Sequence, residues 1–365
     1  MKNLLKLGVA MLCLLSISIF SCNKEESGGG NNGQIEPKKN CTILERVSLN
    51  EFKPNGVPLN SFGPEIAALN NGEVFFETYG DGRSHLIGLR NGKKKAYEVT
   101  NGGSILASNG SEMYAYNFKG LLKFNQSADV FQRIETAAFL AEDLAVAANG
   151  EVWGIYDKLY RYQPKSGKTL IYETYGKFST VDQLRNNFVN GDAKYQRLAF
   201  SPDGSILYIA AGDKVIEWKI NEDLKAFQTS ANLKTYQLAK RIAFSELAVA
   251  NTDGSLYVGY SDSGNSMAYF LDRSKGQFTS ISTSDPRLIS RTTDGVWAVF
   301  SNGIFINFKA GQRAQEVDFA AFTPCADDYR KETIGRGYAF INNSNELWVS
   351  RSSFSKGLIL FKIKI

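Results

Sequence analysis

The chain has 365 residues, with 42 Lys and Arg against 37 Asp and Glu, one His and four Cys. Its balance of 43% hydrophobic and 22% charged residues is that of a globular protein and excludes wholesale disorder. A net charge of +5, or +3 once a leader carrying Lys2 and Lys6 is removed, excludes a nucleic-acid module working by net charge; the single histidine, His85, excludes any site needing two.

In chain order, the first element is an address rather than part of a fold. Lys2 and Lys6 precede an apolar run from Leu7 to Phe20, which Ser21-Cys22 closes. The run is short for a membrane span of about 20 residues and has the layout of a secretory signal. Ile19-Phe20-Ser21-Cys22 resembles a bacterial lipobox, with Ile in place of the more usual Leu and a bulky Phe20. That resemblance implies cleavage before Cys22, so that 1–21 is signal peptide, and a diacylglycerol on the Cys22 thiol that makes the lipid bilayer a partner. Asn23-Lys24-Glu25-Glu26 resembles the short acidic export signal of Bacteroidota lipoproteins, which implies the outer face of the outer membrane. The alternative is a solvated charged linker and a periplasmic leaflet. Ser27–Gly33 has no side chains to bury, so 22–40 reads as lipidated Cys and flexible tether, and 41–365 as one domain.

Ile43–Leu49 (ILERVSL) is an alternating strand with no unit of its own. A repeat then begins. Ile66–Glu77, Ser104–Tyr116, Leu144–Ile155, Leu198–Ile209, Leu247–Val258, Leu288–Val299 and Tyr338–Val349 each read as a short apolar strand, a turn and a second strand bearing an aromatic. The turns carry Gly72, Gly110, Gly150, Gly204, Gly254 and Gly295 behind Asn or Asp, with Asn345 in the seventh position. Asn and Gly tolerate the positive φ of tight hairpins, so each unit is a β-hairpin. The turns lie 38 to 54 residues apart, about 45 on average, and two more strand-like runs follow each hairpin, as in Lys158–Tyr162 with Thr169–Thr174. This period without helical runs predicts an all-β, seven-bladed β-propeller with four-stranded antiparallel blades. The chain ends at Leu358–Ile365, one strand short, so Ile43–Leu49 is expected to close the last blade.

The units resemble those of the NHL and two-component-regulator propellers and of the streptogramin-lyase and lactonase-type propellers, from about Ile43 to Ile365. The resemblance implies fold and says little about activity, because these families share blades and differ in sites. The lyases use a histidine pair and this chain has one histidine, so His85, after the Tyr79–Ser84 stretch, is read as a solvated loop residue.

The aromatics behind the turns (Phe75, Tyr114, Trp153, Tyr208, Tyr257, Trp297, Trp348) recur at one place in every unit, which argues for packing between blades rather than sugar stacking. Trp218 in Lys214–Ile220 reads as core too. Ser261–Asn265 and Asp327-Asp328 offer oxygens to calcium without EF-hand spacing, so no metal or cofactor is expected. Cys41 and Cys325 form an even pair in an exported protein, which favours a disulfide; their places at opposite ends of the last blade oppose it, and the pairing stays open.

Function is read from the loops. The crossings between blades share one face. Three look long (Lys177–Arg197, Leu233–Glu246, Ala320–Arg336), and Asn50–Glu65 joins them, while the opposite face is expected to carry only short turns. Together these four segments carry +3, equal to the whole mature chain. Tyr195, Tyr236 and Tyr329 offer stacking area there, and Arg197, Arg241 and Arg330 offer bidentate hydrogen bonds to carboxylate or phosphate. The expectation is a non-catalytic binding or docking lipoprotein for a polar or anionic ligand or an outer-membrane transporter. The competing class is a propeller hydrolase or lyase acting on an exported substrate.

Overall fold

The computed structural model describes residues 42–97, 104–117, 119–135, 138–156, 158–172, 196–211, 214–220, 233–237, 243–250, 254–262, 265–282, 287–291, 295–299, 304–318, 334–340, 345–353 and 357–364. They form seven four-stranded antiparallel sheets and, apart from one 3-10 turn at Pro54–Gly56, no helix. Blades 1 to 6 span Ser61–Tyr97, Ile105–Glu135, Asp143–Tyr172, Arg197–Gln237, Ala243–Ser282 and Arg287–Asp318. Blade 7 takes three strands from Ile334–Lys364, and its outer strand is Thr42–Ser48, paired antiparallel with Gly357–Lys364. The inner strands of blades 1 and 7 pack on each other, so the seven sheets form a ring.

Local chemistry explains the hairpins. The side-chain oxygens of Asn71, Asn109, Asn149 and Asp203 each accept the backbone N–H two residues on, at 3.0–3.1 Å. The glycine between takes positive φ, as at Gly150 (84°) and Gly204 (71°), where a Cβ would be strained. One Asn-Gly or Asp-Gly pair therefore both closes the turn and satisfies its backbone.

Register then fixes the core. In blades 1 to 5 the wedge aromatic pairs across the hairpin with an inner-strand alanine, as Trp153 with Ala145 and Tyr208 with Ala199. All seven aromatics are at most 2% exposed, so they pack between blades, and Trp218 is fully buried against Trp153. The polar tips of three of them tie one blade to the next, Tyr257 Oη by accepting the Gly311 N–H at 3.0 Å. Tyr114 Oη donates to the Gly150 carbonyl and Trp348 Nε1 to that of Gly72. Between blades 4 and 5, Arg273 makes a bidentate pair with Glu217 at 3.0 Å for both bonds.

Three expectations need correction. Leu233–Gln237 is the outer strand of blade 4 and Ala243–Val249 the inner strand of blade 5, so that crossing is only 238–242. The apparent long loop absorbed two strands because Leu-Lys-Thr-Tyr-Gln carries no turn signal to mark it. The opposite face is not uniformly short either: the strands Lys214–Lys219 and Leu233–Gln237 are joined there by residues 220–232. Finally, His85 sits in the strand Arg83–Arg90, paired with Thr78, because the turn before it needs only Asp81 and Gly82. The crossings before Arg197 and Ile334 remain long, at 173–196 and 319–333.

Candidate functional site: a charged ring at the crossing face

The inner strands start at the crossing face. In each, one position stands just before the apolar residue that pairs with the neighbour of the wedge aromatic: Ile66 with Phe76, Leu106 with Ala115, Leu144 with Gly154, Leu198 with Ile209. Leu247, Leu288 and Tyr338 pair equivalently with Val258, Ala298 and Val349. The preceding residues, in blade order, are Glu65, Ile105, Asp143, Arg197, Glu246, Arg287 and Gly337. Five of these seven positions around the axis carry a charged residue type, three acidic and two basic.

Two of the acids clamp neighbouring blades. Glu65 Oε2 accepts the Leu106 N–H at 3.3 Å, and Asp143 Oδ2 accepts the Leu198 N–H at 2.7 Å, each from the next inner strand. Burial pushes the Glu65 carboxyl up to about 7; the Asp143 charge adds to this, while the Leu106 N–H and the Arg197 guanidinium oppose it. A carboxyl poised there can accept or donate a hydrogen bond at neutral pH. Glu77 lies close by, 1% exposed, and accepts from Ser84 Oγ (2.6 Å), Tyr79 Oη (3.2 Å) and the Ser104 N–H (3.2 Å), which pins the crossing into blade 2. Gly63 is required beside it, since a Cβ there would stand 2.3 Å from Glu77 Oε2.

Of the predicted ligand-contacting residues, Arg197 opens the inner strand of blade 4, half-buried, inside this ring. Tyr236 is elsewhere. It is buried between blades 4 and 5, and its hydroxyl donates to Glu217 Oε2 at 2.8 Å. Burial tends to raise the Glu217 carboxyl, but hydrogen bonds from Arg273 and Tyr236 prevail and hold it below its usual range. Tyr236 is thus a packing residue with a satisfied hydroxyl and offers the mouth no stacking surface. Tyr195, Arg241, Tyr329 and Arg330 lie outside the described residues, as do Cys22, Cys41 and Cys325. Among the described residues no group of three or more His, Cys, Asp or Glu is arranged to hold a metal ion.

Sequence reasoning missed Glu65 and Asp143. The signal was present, because each stands immediately before the repeated apolar strand, but the repeats align by their apolar and turn residues and the variable position ahead of them reads as loop.

No protein-family model matches the chain, and no curated protein matches it. Solved structures do. A chain of a mitotic checkpoint complex is 10% identical with a TM-score of 0.58, covering 94% of this chain and 97% of that one. An oligogalacturonate lyase from Vibrio parahaemolyticus is 10% identical with a TM-score of 0.52, covering 90% and 99%. The extracellular domain of a putative one component system from B. thetaiotaomicron is 13% identical with a TM-score of 0.53, covering 89% of this chain and 40% of that longer one. At such identities the likeness is one of fold.

Proposed function

We propose that this protein is a non-catalytic lipoprotein of the cell envelope, anchored by Cys22 in the outer membrane, whose crossing face binds a polar or anionic ligand or docks a protein such as an outer-membrane transporter. One observation carries the reading: the crossing-face mouth is ringed by charged positions, with Arg197 beside Glu65 and Asp143. Such a mouth offers a guanidinium for a carboxylate or phosphate and carboxyls for hydroxyls or amines. Arg241, Tyr195, Tyr329 and Arg330, which lie outside the described residues, are proposed to belong to the same face and to widen it. The likeness to an extracellular domain from B. thetaiotaomicron agrees with a surface address. The test is direct binding. A panel of soluble glycans, uronates and peptides is titrated against the parent chain and against Arg197→Ala with Arg330→Ala. Capture by the parent and loss in the variant, at unchanged melting temperature, is the expected outcome; equal binding by both would overturn the site.

A second reading has its own support. Glu65 poised near neutrality beside a guanidinium is also a general acid or base, and one fold neighbour is a lyase. On that reading, a hydrolase or lyase, turnover of some member of the same panel by the parent would disappear in Glu65→Gln.

A further inference from the structure

The two faces of the ring differ in how their charges are answered. At the short-turn face every acid at the described turns except Asp203 is already in an ion pair: Glu73 and Asp129 with Arg90, Glu112 with Lys123, Glu151 with Arg161, Asp272 with Lys275, and Glu346 with Lys362. Asp203 is held by hydrogen bonds from Ser201 and Ser205. Among the described residues the cations on this face outnumber these acids. Lys93, Lys165, Lys168, Lys219, Lys309 and Lys364 are all exposed and pair with no acid among the described residues. They stand at the turns joining third and outer strands, or at the strand ends beside them, on five of the seven blades.

The first described strand also begins here. Thr42 pairs with Lys364, which pairs with Glu346 beside the turn of blade 7, so the N-terminal strand begins at the short-turn face and Cys22 lies twenty residues before it. From these two observations we infer that the short-turn face lies against an anionic lipid surface, with the six lysines on its headgroups and the crossing face turned outward. Cations spread around a rim suit a planar sheet of charge, because a compact ligand could reach only one or two of them. The direction follows from the same geometry: a first strand that begins at this face, with an anchor upstream of it in the sequence, and counter-charge on that face bring it down first. This inference takes the Cys22 anchor from the proposed function, although the charge pattern stands without it.

Lysine footprinting tests the inference on the full chain mixed with vesicles, using an amine-reactive reagent and mass spectrometry. Vesicles of pure phosphatidylcholine are compared with vesicles containing about 30% phosphatidylglycerol, a fraction chosen to give a strongly negative surface. On the anionic vesicles the six lysines should lose reactivity at least threefold and regain it in 0.5 M salt, roughly the regime where screening leaves only contact distances. Lys53 and Lys119, exposed at the crossing face, should not change. Charge reversal at Lys165, Lys168, Lys219 and Lys309 to Glu should remove the protection. Uniform reactivity on both faces, protection of Lys53 and Lys119 instead, or equal protection on neutral vesicles would overturn it, the first of these pointing to an acidic protein as the partner. Flotation with phosphatidylcholine alone reports the acyl anchor, so failure of the anchor and failure of the face are read separately.

Discussion

Glu65 gives the crossing-face ring a group that titrates near neutrality, because burial raises its carboxyl. Its folded pKa is about 7 against an ordinary 4.5, so the folded chain holds a proton that the unfolded chain releases. Stability from this group is therefore greatest below about 4.5, falls as pH rises towards 7 and is fully lost above that. Glu65→Gln keeps a carbonyl for the Leu106 N–H and removes the titration. It should be more stable than the parent at pH 8 by on the order of 2 kcal/mol and nearly equal at pH 4, read from urea midpoints at the two pH values. Glu217 answers to the opposite logic, since its charge is buried and paired. Arg273→Met leaves that carboxylate with Tyr236 alone and should cost about 2–3 kcal/mol in chemical denaturation, whereas Tyr236→Phe should cost about 1. A null result for Arg273→Met would mean that the blade 4–5 interface rests on its apolar contacts.

At the scale of the element, each blade is a hairpin extended by two strands, and its stability comes from the ring wedged against the next blade. Trp153 is fully buried and packs edge-on to Trp218 at 5.4 Å, beneath the Arg161 guanidinium at 5.2 Å. Trp153→Ala should accordingly cost about 3–5 kcal/mol, measured by thermal or urea unfolding. The outer strand of blade 7 is an element of a different kind, because its two sides come from opposite ends of the chain. Leu49 is 1% exposed and its N–H donates to the Leu358 carbonyl at 2.8 Å, while Lys94 of blade 1 reaches the Ser48 carbonyl at 2.7 Å. Removing Asn40–Asn50 exposes an unpaired edge and unlocks blade 7 from blade 1, so the whole domain should melt several degrees lower. A chain starting at Glu51 that melts with the parent would show that the ring holds without its outer strand.

For the whole molecule, the arrangement divides labour between two faces. Long crossings and the charged ring share the face away from the N-terminal strand's start, and the lysines that pair with no acid among the described residues share the face next to it. The first step of any such orientation is the anchor. Cys22→Ala should accumulate as precursor or soluble protein, whereas the parent fractionates with membranes; identical fractionation would remove the anchor. Neutralising Lys24, Glu25 and Glu26 should then reduce protease accessibility on intact cells if those residues direct export to the surface.

The fold was legible in the sequence because a propeller repeats one local rule. An Asx-Gly turn flanked by apolar residues specifies a hairpin by itself, and seven such turns about 45 residues apart specify seven blades. The alternating strand Ile43–Leu49 without a unit, against a last unit one strand short, even indicated how the ring is completed, to within one residue of the observed Thr42–Ser48. The site was only partly legible. In the sequence Arg197 has the look of a loop residue and stands in the ring; Tyr236 has the same look and lies in the core, because its strand pairs with residues 214–218 and nothing local marks that pairing. Glu65 and Asp143 lie 78 residues apart and act on one another only once three blades have been laid round a common axis. Sequence by itself determined the repeat, because turn chemistry and alternation act over neighbouring residues. Tertiary structure decided which charges meet, because burial and Coulomb interactions depend on distances that only the closed ring sets.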